Sequence, residues 1–287
     1  MTLVVAAALF LQHNAMATTI NYGAAAGFAI LAGSGISDAG GSSITGTVTT
    51  GNVGLSPTTG AAIGLTAGQV GGMIYTVAAA GPAGSVANPG LLTTARNDFG
   101  AAYTAAAGLS PTPPNLGLQL GTQTLLPGVY TFGPGTVLLD GTLTLNANGV
   151  ANPVWIFQAK SDLTTGSSSS IVFENGGVAC DVLWVIPTQA TLGTDSAFVG
   201  TIMAGTSIVM DHGATLQGRA WADAAVTLDD NTITGLPCTS IGGTEGATVP
   251  DTGSTLLLLG FGVLSLLTFV EIGGRSLIVT QNRRAIS

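Results

Sequence analysis

Between residues 182 and 235 the chain repeats itself with a period near 18. Trp184, Met203 and Trp221 lie 19 and 18 apart, and Leu192, Met210 and Leu228 lie 18 apart each time. Thr191, Val209 and Thr227 keep the same spacing, and Gly200, Gly218 and Gly235 follow at 18 and 17. A fixed period of this length, built from short β-like runs and Gly, Asp or Asn corners, is the pattern of stacked β-solenoid rungs. Each period holds three runs, "VLWVI/GTIMA/GRAWA", then "ATL/SIVM/AVTL", then "AFVG/ATLQ/TIT". Three runs and three corners per rung predict a triangular cross-section with three faces.

The repeat reaches beyond this block. "WIFQAKSDLTTG" matches "VLWVIPTQATLG" at an offset of 27, and the surplus is an excursion, "ENGGVACDV". "DGTLTLNANG" reads as another rung. Far up the chain, "ILAGSGISDAGGSSITG" matches "IMAGTSIVMDHGATLQG" without a gap. Residues from about 57 to 115 break the pattern, Gly, Pro and Ser dominating until "LLTTARNDFGAAYTAAAG". There Leu92, Ala95, Phe99, Tyr103 and Ala106 recur at helical spacing. A helix over about 91–109 would span roughly 28 Å at 1.5 Å per residue. Six rungs at about 4.8 Å have similar height, so this helix is long enough to run down one side of a stack. "VWIF" and "VLWVI" are apolar on successive residues, as strands buried on both sides are, and offer the face that receives it. A chain that forms a rung, descends as a helix and winds back would set its last rungs beside its first, and similar neighbours call for similar sequences.

The two ends differ from this pattern. "LVVAAALFL" followed by "NAMA" reads as a secretory signal cut after Ala17, with a buried N-terminal strand as the alternative. The solenoid domain is then 18–240, followed by a linker over 241–251 and an apolar segment over 252–287. Thr255–Val270 is an uncharged apolar run that suits a membrane-held precursor. "VPDTGSTLLLLGFG" resembles the C-terminal sorting signals of the PEP-CTERM group. The chain is therefore expected to be secreted, or held at the cell surface or membrane. Cys180 and Cys238, in a chain read as exported, are expected to form a disulfide.

Only 7% of residues are charged, and 18–249 carry three basic against twelve acidic ones. Such a balance excludes nucleic acid and anionic lipid headgroups as electrostatic partners. Few candidate catalytic groups exist. His212 is the one histidine of the mature region and sits in "MDHGAT", a corner, with no triad partner near it in sequence. Asp211, Asp223, Asp229 and Asp230 read as corner residues. Asp211 and Asp229 would stack, but two carboxylates fall short of the oxygens that Ca²⁺ needs. No cofactor, metal site or enzyme activity is expected.

The ordered motifs "LPGVYTF", "VWIFQ", "ATLGT", "GTIMA" and "GRAWADAAVTLDDNTIT", with "FAILAGSGIS" upstream, resemble the ice-binding protein family of microbial antifreeze proteins over nearly all of residues 20–238. The resemblance implies a discontinuous, right-handed triangular β-solenoid with a long helix on one face. It also implies a non-catalytic monomer that binds ice through one flat face. Period-two alternation on the second face turns Thr164, Gln189, Thr191, Ser207, Val209, Ala225 and Thr227 outward; the opening repeat adds Ser37, and Thr144 is read onto the same strip. These are the candidate ice-binding residues. The third face, with Thr215, Thr232 and Thr234, is the runner-up. Thr on a solenoid face also has a plainer reading as β-propensity alone, and a cell-surface adhesin or structural solenoid is the alternative function.

Overall fold

The computed structural model describes residues 19–242 except 113 and 114. The expected signal, the apolar tail and nearly all of the linker lie outside the described residues. Among those described, no helix is long and apolar enough to cross a membrane.

The architecture is mostly β, with parallel sheets and one long helix, consistent with an all-β solenoid. Successive strands of one turn feed three ladders. The first runs through Gly128–Thr131, Trp155–Gln158, Val182–Ile186 and the C-terminal halves of Ala197–Ala204 and Thr215–Ala222. It then continues, out of sequence order, into Phe28–Ala32, Asn52–Leu55, Ile74–Thr76 and Val86–Ala87. The second is six strands: Val137–Leu139, Leu163–Thr165, Ala190–Leu192, Ile208–Met210, Ala225–Leu228 and Gly35–Asp38. The third joins Thr124–Leu125, Thr142–Asn146, Ser170–Glu174, the N-terminal halves of Ala197–Ala204 and Thr215–Ala222, Thr232–Thr234 and Ser43–Thr45.

The repeated stretches of the sequence thus become neighbours. The N-terminal rung follows the last C-terminal one on all three ladders: Trp221 pairs with Leu31, Thr227 with Ser37, and Ile233 with Ile44. An antiparallel pair, Ile20 with Ile241, ties the two ends of the described chain together.

Strands of the first ladder are buried on both sides. Trp155, Phe157, Trp184, Ile202 and Ala220 point into the stack. Their alternates, Ile156, Leu183, Val185, Met203 and Trp221, point at the helix. Parallel strands covered on both faces read as unbroken apolar runs. The aromatics stack along the axis: the rings of Phe157 and Trp184 are 4.0 Å apart and 13° from parallel.

The helix spans Pro89–Ala107, beginning slightly earlier than its apolar periodicity. Asn88 caps it, its side-chain oxygen accepting from Leu91 N–H at 3.1 Å, and Pro89 follows where its fixed φ suits a first turn. Leu92, Ala95, Phe99, Ala102 and Ala106 are buried against the first ladder, while Tyr103 is half-buried. At the other end, Gln158 is buried and donates to the carbonyls of Ala106 and Leu109 at 2.8 and 2.9 Å. Asp98 accepts from Ala24 N–H at 2.7 Å, and Arg96 forms an ion pair with Asp223.

One expectation needs correction. Residues 57–87 do not leave the repeat. Ile63 bridges Ile36, Val70 bridges Ile44, and Ile74–Thr76 and Val86–Ala87 extend the first ladder. Two of the contacts are single bridges beside short 3₁₀ turns, Gly60–Ala62 and Ala67–Gln69, so the rung is kept without a run of alternating side chains.

Cys180 and Cys238 are joined, their Cα atoms 5.6 Å apart across 58 residues of sequence. Arg219, fully buried, donates to the carbonyls of Ala26, Leu236 and Cys238 and so gathers the N-terminal turn and the segment after the last rung.

The long strands turn from the third ladder to the first at stacked glycines. Gly200 has φ +103°, and an added Cβ would lie 2.6 Å from the Val182 carbonyl oxygen. Gly200→Ala should therefore destabilise the fold by about 1–3 kcal/mol, from left-handed strain and contact with rigid backbone. Urea unfolding is the measurement, and a midpoint equal to wild type would contradict the tight corner.

Candidate functional site

With the first ladder covered by the helix, the second and third present their outward side chains. On the second, strand register aligns one column without a gap. Leu138 pairs with Thr164, Thr164 with Thr191, Thr191 with Val209, Val209 with Thr227, and Thr227 with Ser37. The inward neighbours Leu163, Leu192, Ile208, Val226 and Ile36 are at most 1% exposed, so these outward side chains stand on a solid base. Thr164, Thr191, Val209 and Thr227 are half-exposed and stand in register, each beside the next along the column. Such side-by-side placement, added to χ1 branching, leaves little rotamer freedom. The hydroxyls of Ser37 and Thr227 are 3.3 Å apart, and Gln189 Nε2 donates to Thr191 Oγ1 at 3.0 Å.

Two residues back along each strand, Gln189, Ser207 and Ala225 form a second rank, with Ala225 paired to Gly35. All the candidate residues except Thr144 therefore share one surface. Thr144 pairs with Val172 and Thr124 on the third ladder. The chain turns at Asp140–Gly141, where Gly141 takes φ +98°, so the run Thr142–Asn146 has already left the second ladder. Its place there is held by Leu138, a large apolar side chain 42% exposed that sequence reasoning missed. The alternation in "TVLLD", with Val137 and Leu139 buried around it, was the available signal.

The third ladder presents two ranks. One is Thr142, Ser170, Ala197, Thr215, Thr232 and Ser43; the other includes Thr144, Val172, Gln217, Thr234 and Thr45. Thr142 and Ser170 hydroxyls lie 3.0 Å apart, as do those of Thr45 and Thr234. This surface is richer in hydroxyls than the second, but not even: an open depression of about 320 Å³ lies among Ala197, Val199, Thr215, Gln217, Thr232 and Thr234.

Charge sits at the borders. Asp162 edges the second ladder, where its carboxylate accepts from the Thr188 hydroxyl, the Gln189 N–H at 3.2 Å and the Ser161 hydroxyl at 3.2 Å. These bonds, that from Thr188 foremost, hold its pKa below the ordinary carboxylate value. His212 Nδ1 lies 3.5 Å from Asp229 Oδ1 at the opposite corner, both side chains well exposed. Among the described residues, no group of three or more His, Cys, Asp or Glu is placed to hold a metal ion.

The family model described as Ice-binding-like matches residues 30–234, from the first ladder strand of the N-terminal rung to the end of the last C-terminal rung. The chain belongs to the Ice-binding-like family. It is 42% identical over 217 residues to an ice-binding protein of Flavobacterium frigoris (strain PS1), covering 75% of this chain and 76% of that one. With an ice-binding protein of Nostoc sp. (strain HG1) it shares 38% over 259 residues, 89% of this chain and 88% of the relative. Among solved structures, the ice-binding protein of the ascomycete Antarctomyces psychrotrophicus aligns with a TM-score of 0.64 at 35% identity, over 76% of this chain and 98% of that one. An ice-binding protein from an Arctic yeast aligns at 0.65 and 26% identity, over 75% and 93%.

Within this family member, Asp162 bridges two rungs at the edge of the second ladder, which gives its titration a sign. Because its folded pKa is lowered, the stability it contributes is fully present above the unfolded value of about 3.9. That stability is lost as pH falls through the lowered folded value. Asp162→Asn should therefore lower the melting temperature at pH 7 and flatten its decline below about pH 4. Melting curves of both proteins from pH 7 to pH 2 measure this; parallel curves would contradict it.

Proposed function

We propose that this protein adsorbs to ice crystals and thereby inhibits their growth and recrystallisation, acting after export from the cell. The observation that carries the reading is the unbroken parallel register of uncharged, short side chains over the second ladder. Ice is a flat, repeating array of hydrogen-bonding water. A surface that adsorbs to it must be rigid, flat and repetitive, and must order water without gripping it as charges do. Rungs recur at roughly 4.8 Å. Thr offers a hydroxyl and a methyl with little entropy left to lose. The relatives' description as ice-binding proteins supports the same function, and it requires no catalytic group.

In this reading the three ladders enclose a right-handed triangular stack, with the helix on one side and ice on another. The ice-facing surface is the second ladder: Ser37, Thr164, Thr191, Val209 and Thr227, with Gln189, Ser207 and Ala225 beside them. Its even column favours it over the third ladder. A second reading places ice on the third ladder, and the two ranks of hydroxyls there favour that. Export rests on the N-terminal apolar segment, and attachment to a membrane or cell surface on Thr255–Val270, both read from sequence.

Bulky substitutions distinguish the faces. Thr191→Tyr and Thr227→Tyr should lift the second ladder off the lattice and abolish most thermal hysteresis, while Thr215→Tyr on the third leaves it near wild type. All three side chains point outward, so stability should change by no more than about 0.5 kcal/mol. The reverse pattern assigns ice to the third ladder. No recrystallisation inhibition by the wild-type protein would overturn the function and favour an adhesin or structural role.

A further inference from the structure

The corner between the two exposed ladders is built the same way on successive rungs. A residue in the left-handed region comes first: Ser168, Asp195, Gly213 and Asp230 have φ of 58°, 55°, 71° and 52°. The next residue points inward, giving a column of Ser169, Ser196, Ala214 and Asn231 that Ser42 continues on the N-terminal rung. All five are buried, none more than 2% exposed.

Two of the polar members serve the backbone around them. Asn231 Nδ2 donates to the carbonyls of Asp211 and Ala214 on the preceding rung at 2.7 and 3.1 Å, and its Oδ1 accepts from Asp229 N–H at 2.7 Å. Ser42 Oγ donates to Asp38 at 2.7 Å and accepts from Asn231 N–H at 2.9 Å. Ser169 and Ser196 occupy the same column, yet the hydroxyl of neither has a hydrogen-bond partner in the protein. Their side chains are one atom too short to span to the neighbouring corner as Asn231 does. A buried hydroxyl left unpaired forfeits its hydration without return, which native folds avoid.

We propose that Ser169 and Ser196 each bind an internal water molecule, which bridges the hydroxyl to the corner carbonyls. Water does there what the Asn231 carboxamide does on its own rung. The chemistry suits water: a hydroxyl that both donates and accepts, beside carbonyls that retain a free lone pair. Such waters typically make about three hydrogen bonds to groups otherwise unsatisfied. Gly166 and Gly193 supply candidate carbonyls, since their oxygens accept from Ser169 and Ser196 N–H at only 3.3 and 3.1 Å. These waters would be part of the corner that sets the angle between the second and third ladders.

The test pairs a crystal structure, at a resolution that shows buried waters, with melting curves of Ser169→Ala and Ser196→Ala. We expect ordered density within hydrogen-bonding distance of both hydroxyls. Each alanine variant should melt about 2–4 °C below wild type, because a bound water loses a partner. Absence of that density, or alanine variants that melt at or above the wild-type temperature, would overturn the proposal.

Discussion

The pairing of the N-terminal rung with the last C-terminal rung is the contact on which the remaining organisation depends, and Trp221 is at its centre. Its backbone is in register with Leu31, and its indole N–H donates to the Phe28 carbonyl at 2.8 Å. Its ring packs edge-on against Tyr22 and against Phe99 of the helix. One side chain thus joins the start of the chain, the helix and the end of the repeat. Because the first and last rungs meet here, the chain between them has to travel the length of the stack and return. The helix is the segment that makes the journey.

That route decides which surfaces are available. Covering the first ladder with the helix lets its strands be apolar on both sides, so Trp155, Phe157 and Trp184 fill the interior while Leu183, Val185 and Met203 meet the helix. The second and third ladders are left uncovered, and the scarcity of charge keeps the outward column of the second free of charged side chains. Continuous in-register pairing also opposes the twist that isolated sheets adopt. Rigidity and neutrality are what adsorption to a crystal of water demands, so the same contacts that stabilise the stack shape the proposed ice face. Adsorption to a flat crystal needs no pocket, and the residues proposed for the face are ordinary Thr, Ser, Val and Ala.

Where reading from sequence went astray, the cause was local geometry that leaves little trace in side-chain pattern. "TLTLN" alternates well, but alternation does not say to which ladder a strand belongs; the turn at Asp140–Gly141 moved Thr144 to the third and left Leu138 on the second. Residues 57–87 lack alternation because their rung is held by isolated bridges at Ile63 and Val70, which single apolar residues satisfy. Asp162 is the charge that edges the second ladder; its bonds to Thr188 and Gln189 on the next rung exist only because 26 and 27 residues of sequence separation close to one rung.

By itself, the sequence determined the period, the three runs per rung, the helix and its apolar face, since each is a matter of spacing along one chain. It also made the family recognisable, through motifs that follow one another in a fixed order along the chain. The neighbouring of the first and last rungs and the Cys180–Cys238 pairing were also expected from it, and the structure has both. Tertiary structure alone decided which ladder each strand joins. It likewise left Ser169 and Ser196 buried without protein partners while Asn231, in the same column, is satisfied. Those outcomes depend on stacking between residues distant in sequence, where an offset of one residue at a corner moves a side chain from one surface to another.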